Sequence, residues 1–259
     1  MVAIKLPTAA ALAILPAASQ GAQLFANRGT LDGWSYVRHE HNGKVEQVSN
    51  VVYEGPSALK MSQTYDRGYT GRYHSEVDVH DGYQRGDERF YGFSFRLSET
   101  WEFGSQGFNL AQFIAERKGA GCGGDDWMPS SMIWIQGDKL ATRVVSGNYR
   151  QPDCSRDIKT FRDLATVSAG EWHKVVLQVR WRNDGSGFYK MWFDGEKVLE
   201  EHNLPTTVND DELYQFRVGL YANSWHDDGY MEGNQPLRQV WYDEIAVGTT
   251  FADVDPDQW

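Results

Sequence analysis

Residues that can transfer protons or donate hydrogen bonds occur at alternate positions in three short segments of the chain. The segment 216–225, FRVGLYANSW, places Arg217, Tyr221 and Asn223 on one face of a predicted late strand, with apolar side chains on the other. A tyrosine hydroxyl can give or take a proton, and an asparagine amide can donate hydrogen bonds. Such a polar row suits a wet concave surface better than a protein core.

Two earlier segments have the same alternating character. In the segment 71–79, GRYHSEVDV, one face carries Arg72, His74, Glu76 and Asp78. If the segment 108–117, FNLAQFIAER, is also a strand, one side of it carries Leu110, Gln112, Ile114 and Glu116. An imidazole ordinarily titrates near neutral pH and suits acid–base work. Three strands would therefore each bring a polar side chain to one face of a sheet.

The three segments, in this order, resemble the strand motifs of the jelly-roll polysaccharide lyases of the alginate-lyase type. HSEV at 74–77 is similar to Arg-Ser-Glu-Leu-Arg, QFI at 112–114 to Gln-Ile-His, and VGLYAN at 218–223 to Lys-Ala-Gly-Val-Tyr-Asn-Gln. His74 stands where those enzymes carry arginine, and Ile114 where they carry the catalytic histidine, which argues against alginate as the substrate. This exchange more closely resembles the secreted fungal glucuronan lyases, which cleave β-1,4-linked polyglucuronic acid.

The resemblance implies cleavage of a polyuronate by β-elimination, which leaves unsaturated uronate ends. The proton on C5 lies α to a carboxylate, so its removal creates an enolate whose charge must be stabilised. Gln112 is the predicted neutraliser, with His74 and Asn223 as further hydrogen-bond donors. Tyr221 is expected to protonate the departing O4, while His74 takes the C5 proton or binds the carboxylate. Alternatively, Tyr221 performs both proton transfers.

The rest of the chain predicts an all-β fold that could position these residues. Short alternating runs separated by turn signals recur at 57–61, 89–96, 131–135, 140–145, 173–181, 189–193 and 239–247. Strands at this density predict a β-jelly roll, a sandwich of two antiparallel sheets like that of the concanavalin-type lectins. Asp194 and Gly195 predict a hairpin turn, because both residue types tolerate a positive φ.

The N-terminal residues have the pattern of a secretory signal peptide. A basic start is followed by a short apolar stretch and by small residues suited to cleavage. We assign residues 1–21 to this segment and 22–259 to a single β-jelly-roll catalytic domain. No other apolar run approaches the length of a membrane span. The sequence thus predicts a secreted, extracellular monomer with no membrane partner.

The net charge of −11 does not suit a polyanionic substrate at first sight. A local basic cleft can nevertheless focus an anionic chain, whatever the charge of the whole molecule. Arginine suits carboxylates because its guanidinium donates two parallel hydrogen bonds. The predicted substrate-binding residues are Arg72, Arg117, Arg143, Arg150, Arg217, Asn223 and Trp225. No basic stripe or recognisable module indicates a nucleic-acid partner.

The sequence also predicts one disulfide and a structural calcium ion. Cys122 and Cys154 are the only cysteines, and an even pair in a secreted chain favours a disulfide. Lectin-like jelly rolls often tie the N-terminal segment to the last strand through a hard cation held by oxygen ligands. Asp243 is the main ligand candidate, with Glu54 and Asn27 as possible partners. No cofactor is expected for catalysis.

Two other classes of function remain open from the sequence. Retaining β-glucanases on a similar fold use Glu-x-Asp-x-x-Glu, and here Glu76 and Asp78 begin that pattern but Asp81 ends it. Hydrolysis needs a closely paired acid and nucleophile, so the imperfect motif argues against it. A non-catalytic carbohydrate-binding module could use tryptophans such as Trp134 to stack on sugars. That class would not require the row of histidine, glutamine and tyrosine.

Overall fold

The computed structural model of the chain describes residues 21–117, 119–123 and 126–258. Within these ranges, fifteen β-strands form two antiparallel sheets that pack face to face. The predicted all-β jelly roll is confirmed. The predicted signal peptide lies outside the described residues, apart from Gly21, and stays a prediction. No helix in these described ranges is long and apolar enough to span a membrane.

The first sheet has eight strands. Its spatial order is β13 (Glu196–Leu204), β12 (Gly187–Phe193), β11 (Trp172–Arg180), β6 (Glu88–Leu97), β15 (Leu237–Gly248), β4 (Ala58–Thr64) and β3 (Lys44–Val48), and β1 (Gln23–Asn27) also pairs with β15. Asp194 and Gly195 join β12 to β13 with φ angles of 49° and 84°. The predicted hairpin turn is therefore confirmed, because a tight turn of this kind needs a positive φ at both positions.

The second sheet has seven strands and carries the three segments that the sequence singles out. Its spatial order is β10 (Asp157–Phe161), β9 (Lys139–Ser146), β8 (Trp127–Gln136), β7 (Gly107–Glu116), β14 (Tyr214–Tyr221), β5 (His74–Tyr83) and β2 (Tyr36–His39). The three predicted polar strands, β5, β14 and β7, are direct neighbours. Their outward side chains therefore meet at the centre of one sheet face.

Large aromatic side chains fill the space between the two sheets. Phe113 of β7 and Phe216 of β14 stack with their ring centroids 5.1 Å apart, and both are at most 1% exposed. From the opposite sheet, Phe93 packs against Tyr242, whose hydroxyl lies 2.9 Å from the carbonyl oxygen of Gly219. This inward face is apolar and well packed. The aromatic core thus supports the inner face of the sheet whose outer face carries the polar row.

A β-bulge in β7 determines which of its side chains leave the core. The pairing of β7 with β8 shifts register between Asn109 and Ala111, which turns Leu110 into the core while Gln112 points outward. The expectation that Leu110 shares a face with Gln112 is therefore wrong. Simple alternation fails here because a bulge inserts one extra residue into the strand.

A second bulge positions the end of β14. Its pairing with β7 shifts between Val218 and Tyr221, and Gly219 there has a φ of +149°. A Cβ at Gly219 would lie 2.3 Å from the carbonyl oxygen of Ser75, so only glycine fits. The strand ends at Tyr221, and the short helix α1 (Asn223–Asp227) follows. The predicted strand over 216–225 is therefore too long at its C-terminal end.

Candidate active site

A cavity of about 830 Å³ opens on the outer face of the seven-stranded sheet. Seven of the sequence-predicted site residues line it, which are Arg72, His74, Gln112, Arg143, Arg217, Tyr221 and Asn223. Ile114, the residue that replaces the family's histidine, lines it as well. Cys122 and Cys154 form the predicted disulfide and contribute to one wall. Most of the predicted site is thus gathered in one place.

His74 and Tyr221 form the centre of the cavity. The two residues face each other across the β5–β14 pair, and their rings stack with centroids 3.8 Å apart and planes at 15°. Arg72 donates a hydrogen bond from Nη1 to the Tyr221 hydroxyl at 2.5 Å. The imidazole and the phenol are thus stacked, and a guanidinium contacts the phenol oxygen.

The buried carboxylate of Glu76 holds the imidazole in place. His74 Nδ1 lies 2.7 Å from Glu76 Oε2, and Gln112 Nε2 donates to both carboxylate oxygens at 2.8 and 3.0 Å. Burial opposes ionisation of Glu76, but His74, Arg217 and Gln112 outweigh it and lower its pKa. An ionised Glu76 accepts a hydrogen bond from Nδ1–H of His74, which leaves the lone pair of the imidazole on Nε2. That nitrogen can therefore act as a base.

A pair of arginines and a second acid surround Glu76. Arg217 Nε lies 3.3 Å and Arg38 Nη2 lies 3.1 Å from Asp78 Oδ2, and Arg217 Nη1 lies 4.0 Å from Glu76 Oε2. Burial raises the pKa of Asp78, and Glu76 adds to the effect, against the two guanidinium groups. The face of Trp127 covers the Arg217 guanidinium at 4.8 Å. These ion pairs fix the floor of the cavity.

Burial determines the protonation state of Tyr221. Its side chain is only 5% exposed, and this burial raises the pKa of the phenol well above its ordinary value. Arg72 acts in the opposite direction because its cation stabilises a tyrosinate. Tyr221 is thus a neutral phenol at neutral pH. It is ready to give a proton, and Arg72 stabilises the phenolate that results.

Arg143 and Asn223 each present a polar atom that has no hydrogen-bond partner. The Nε of Arg143 and the Oδ1 of Asn223 are buried and unpartnered. Among the described residues, the Arg143 side chain forms one hydrogen bond, from Nη2 to the sulfur of Met132 at 2.9 Å. Burial lowers the pKa of Arg143, and the nearby Arg156 contributes in the same direction. Buried polar groups that lack partners cost free energy, which a bound anion would offset.

The lining of the cavity is basic although the molecule is acidic. Five arginines line it, which are Arg38, Arg72, Arg143, Arg156 and Arg217, against two lining carboxylates, Glu40 and Asp227. The predicted local basic cleft is therefore present in a chain whose net charge is −11. Such a cleft concentrates an anionic ligand and steers it inward.

Three predicted substrate-binding residues lie elsewhere. Trp225 is 2% exposed and packs edge-on against Tyr73 and Phe108 in the core, so it cannot stack on a sugar. Arg117 is buried beside Asp210 as an ion pair, and Arg150 lines a separate small hollow with it. The structure therefore contradicts these expectations. Trp225 lies beyond the end of β14 and Arg117 beyond the end of β7, so strand alternation does not determine where their side chains point.

Sequence reasoning also missed several residues of the cavity. Arg38, Tyr149 and Arg156 line it but belong to β2 and to a long loop. None of them stands in a recognisable motif. Arg38 reaches the site because β2 pairs with β5 at the sheet edge, with Arg38 opposite Glu76. Such long-range pairing leaves no local signal in the sequence.

The three carboxylates of the imperfect hydrolase pattern are not available for hydrolysis in the cavity. Glu76 and Asp78 are both 0% exposed, and each is held by the cations and amides described above. Asp81, the third residue of the imperfect pattern, is exposed and pairs with Arg89 at 3.0 Å. An acid and a nucleophile that flank a glycosidic bond are therefore missing from these three positions.

The predicted calcium ligands lie near the middle of β15. Asp243 Oδ2 accepts hydrogen bonds from the backbone amides of Tyr53 and Glu54 at 3.0 and 3.2 Å. The side chain of Asn27 instead bonds within its own loop, to Thr30 and to the carbonyl of Asp32. Among the residues that the structure describes, no group of three or more His, Cys, Asp and Glu is arranged to hold a metal.

Glu244, next to Asp243, was not singled out by the sequence. It is 1% exposed, and its Oε2 has no hydrogen-bond partner and lies 3.8 Å from the exposed Arg28. Burial, followed by the charge of Asp243, raises the pKa of Glu244 to about 7. The signal that could have found it is its position beside Asp243 in the stretch 240–248 of β15, which carries no other charged residue.

Comparison with known proteins agrees with this geometry. Residues 26–246 match the family model described as polysaccharide lyase, and the chain belongs to that family. The crystal structure of an endo-β-1,4-glucuronan lyase from the fungus Trichoderma reesei is 67% identical, with a TM-score of 0.91, and the match covers 92% of this chain and 100% of that one.

A more distant similarity concerns the fold alone. A marine alginate lyase from Aplysia kurodai superimposes with a TM-score of 0.58 at 9% identity, covering 87% of this chain and 98% of that one. A search of curated protein sequences finds no match. The family assignment therefore rests on the family model and on the fungal structure.

Proposed function

We propose that the protein cleaves β-1,4-linked polyglucuronic acid by β-elimination. The observation that carries this proposal is the stacked pair of His74 and Tyr221 at the centre of a basic cleft. The similarity to the fungal endo-β-1,4-glucuronan lyase supports the same substrate. Histidine at position 74 and isoleucine at 114 distinguish the site from the alginate-lyase motif.

The stereochemistry of the substrate agrees with two reactive groups on one side. In a β-1,4-linked glucuronate the C5 proton and the O4 leaving group depart from the same side of the ring. The rings of His74 and Tyr221 stack with 3.8 Å between their centroids, so both side chains can reach that side of the sugar ring. In the proposed reaction Nε2 of His74 takes the C5 proton, and the electron pair of the C5–H bond moves into the carboxylate to give an enolate. The C4–C5 double bond then forms from the enolate as the C4–O4 bond breaks and Tyr221 protonates O4.

The carboxylate of the same sugar requires donors that compensate its growing charge. Gln112 is the proposed neutraliser, because its amide nitrogen lies at the cavity floor and carries a second hydrogen beyond the one shared with Glu76. Arg72 and Asn223 line the same space. Fixed donors of this kind stabilise an enolate more strongly than water does, because they need no reorganisation.

The proposed function is tested by ultraviolet absorbance over time on glucuronan, alginate and a neutral β-glucan. Elimination leaves a double bond conjugated to the carboxylate, so absorbance should rise on glucuronan. A rise on alginate alone would place the substrate among the mannuronate polymers instead. New reducing ends without absorbance would indicate hydrolysis and overturn the lyase mechanism. No change on any of the three polymers would favour a binding module.

A structural calcium ion near Asp243 is a separate proposal. It is supported by the buried oxygen of Glu244 that has no hydrogen-bond partner, next to the buried Asp243 and near Glu54. Carboxylate oxygens are the ligands that Ca²⁺ prefers. The ion would neutralise two adjacent buried acids and tie the 53–54 loop to β15, far from any proton transfer. Its role would be structural.

Removal of calcium is therefore expected to lower the melting temperature by about 5 °C or more, because a ligand that binds only the folded state stabilises it. The measurement is thermal unfolding with EDTA, and then with added CaCl₂, which should restore the original value. Glu244→Gln should lose most of this response. An unchanged melting temperature in EDTA for the unmodified protein would contradict the calcium site.

We also propose that the protein is secreted and acts as a monomer. The N-terminal signal pattern and the disulfide between Cys122 and Cys154 support secretion, because disulfides persist in oxidising compartments. The proposed substrate is a polymer outside the cell, which agrees with this location.

A further inference from the structure

A second hollow of about 170 Å³ continues from the cavity along the seven-stranded sheet. Three residues line both spaces, namely Met132, Arg143 and Asn223, so the two are continuous. The new walls come from Gly107 at the start of β7 and from Trp134 of β8. A linear polymer that lies across Tyr221 would therefore extend into this hollow.

Trp134 provides a flat apolar surface in the hollow. It lies two residues beyond Met132 on β8, so both side chains leave the same face of the sheet, and its side chain is partly exposed. An aromatic ring of this kind packs well against the apolar C–H face of a sugar. A Cβ at Gly107 would lie 3.5 Å from Cδ1 of Trp134, so glycine keeps the space beside the indole open.

The charge of the hollow suits a uronate rather than a neutral sugar. Arg143 lies at the junction with an unpartnered Nε, and none of the described carboxylates forms an ion pair with it. Outside the lining, Arg162 lies 5.9 Å from the ring centroid of Trp134 and donates to Gln136 Oε1 at 2.8 Å. One guanidinium group thus lines the hollow and a second lies near its indole, and a guanidinium binds a carboxylate through parallel hydrogen bonds.

We infer that this hollow is a distal subsite, which binds a uronate residue of the same polymer away from the bond that is cleaved. The inference rests on the proposed function and extends it, because it predicts that the enzyme also binds sugars of the polymer beyond those at His74 and Tyr221. Trp134 packs against the sugar ring, and Arg143 pairs with its carboxylate. Oligomers too short to reach Trp134 should bind without this contribution.

The test compares Trp134→Ala with the unmodified enzyme on glucuronan and on the shortest oligomer that the unmodified enzyme cleaves. We expect KM on the polymer to rise about tenfold with little change in kcat, because one aromatic contact is worth about one factor of ten. KM on the shortest oligomer should not change. Trp134→Phe should restore most of the affinity, because it keeps an aromatic face.

A second variant tests the subsite by a substitution at another residue that lines the hollow. Gly107→Leu fills the hollow without altering Trp134, and it should raise KM on the polymer in the same selective way. Trp192→Ala, a partly exposed tryptophan of the other sheet, serves as the matched control and should leave KM unchanged. Thermal unfolding of each variant shows whether the fold is intact.

The outcomes separate the subsite from the proposed function. An unmodified enzyme that produces no absorbance on glucuronan would overturn the proposed function itself. An active enzyme whose Trp134→Ala and Gly107→Leu variants keep normal KM on the polymer would overturn the subsite alone. Equal losses on the polymer and on the shortest oligomer would also overturn it, because Trp134 would then support the fold or the catalytic centre.

Discussion

Tyr221→Phe is expected to lower kcat by about 10³-fold while the melting temperature stays nearly unchanged, because positioned proton transfer contributes about 10²- to 10⁴-fold. The substitution removes only the hydroxyl that receives the hydrogen bond from Arg72. The ring that stacks on His74 remains, so packing at the cavity floor is retained. The measurement is the steady-state rate of absorbance increase on glucuronan at saturating substrate.

The matched control is Tyr230→Phe, which removes a hydroxyl from a tyrosine that is 57% exposed and does not line the cavity. Its rate should equal that of the unmodified enzyme. If Tyr221→Phe retained more than about a tenth of the activity, the assignment of the tyrosine as the acid would be wrong, since that loss is below the usual contribution of such a group.

Gln112→Ala is expected to reduce kcat by about 10²- to 10³-fold, the usual effect of removing one donor to a developing anion. Gln112 lies at the floor of the cavity and is 1% exposed, and its amide is oriented by Glu76. Without the amide, the enolate that forms on loss of the C5 proton has one stabilising donor fewer. Single-turnover absorbance measurements would report the chemical step directly.

Ile114→Ala provides the comparison for Gln112→Ala. Ile114 stands two residues further along β7 and also faces the cavity, but it has no donor to lose. Its truncation should change kcat by no more than a few fold. Similar losses in the two variants would mean that cavity shape, and not the Gln112 amide, is responsible, and the role of Gln112 as neutraliser would be contradicted.

The centre of the site was predictable because alternation gives the correct face at the positions of its residues, although β7 and β14 each contain a bulge. His74, Gln112 and Tyr221 each stand in a short motif, and the motifs occupy adjacent strands β5, β7 and β14. Alternation gives the correct face for Arg72, His74, Arg217 and Tyr221. Alternation and turn signals also located β4, β6, β8, β9, β11, β12 and β15, but not β1, β2, β3 and β10. The pairing of the strands depends on contacts far apart in the sequence.

Features that break regular strand geometry were not predictable. The bulge at Leu110 reverses the face expected for that residue, and no pattern in the local sequence predicts the bulge. Alternation continued past Tyr221 predicts Trp225 in the cavity, but the strand ends and α1 turns Trp225 into the core. Arg38 and Arg156 come from distant segments whose positions only the completed fold defines.

The carboxylate of Glu76 is shared between two groups with different tasks. Its Oε2 accepts a hydrogen bond from Nδ1–H of His74, and both of its oxygens accept hydrogen bonds from the amide of Gln112. Any change in one of these partners alters the negative charge that the other experiences, because both act on one buried anion. The proton acceptor and the charge neutraliser are therefore not separable components. They form one cooperative unit, whose free-energy contributions cannot be assigned to either residue alone.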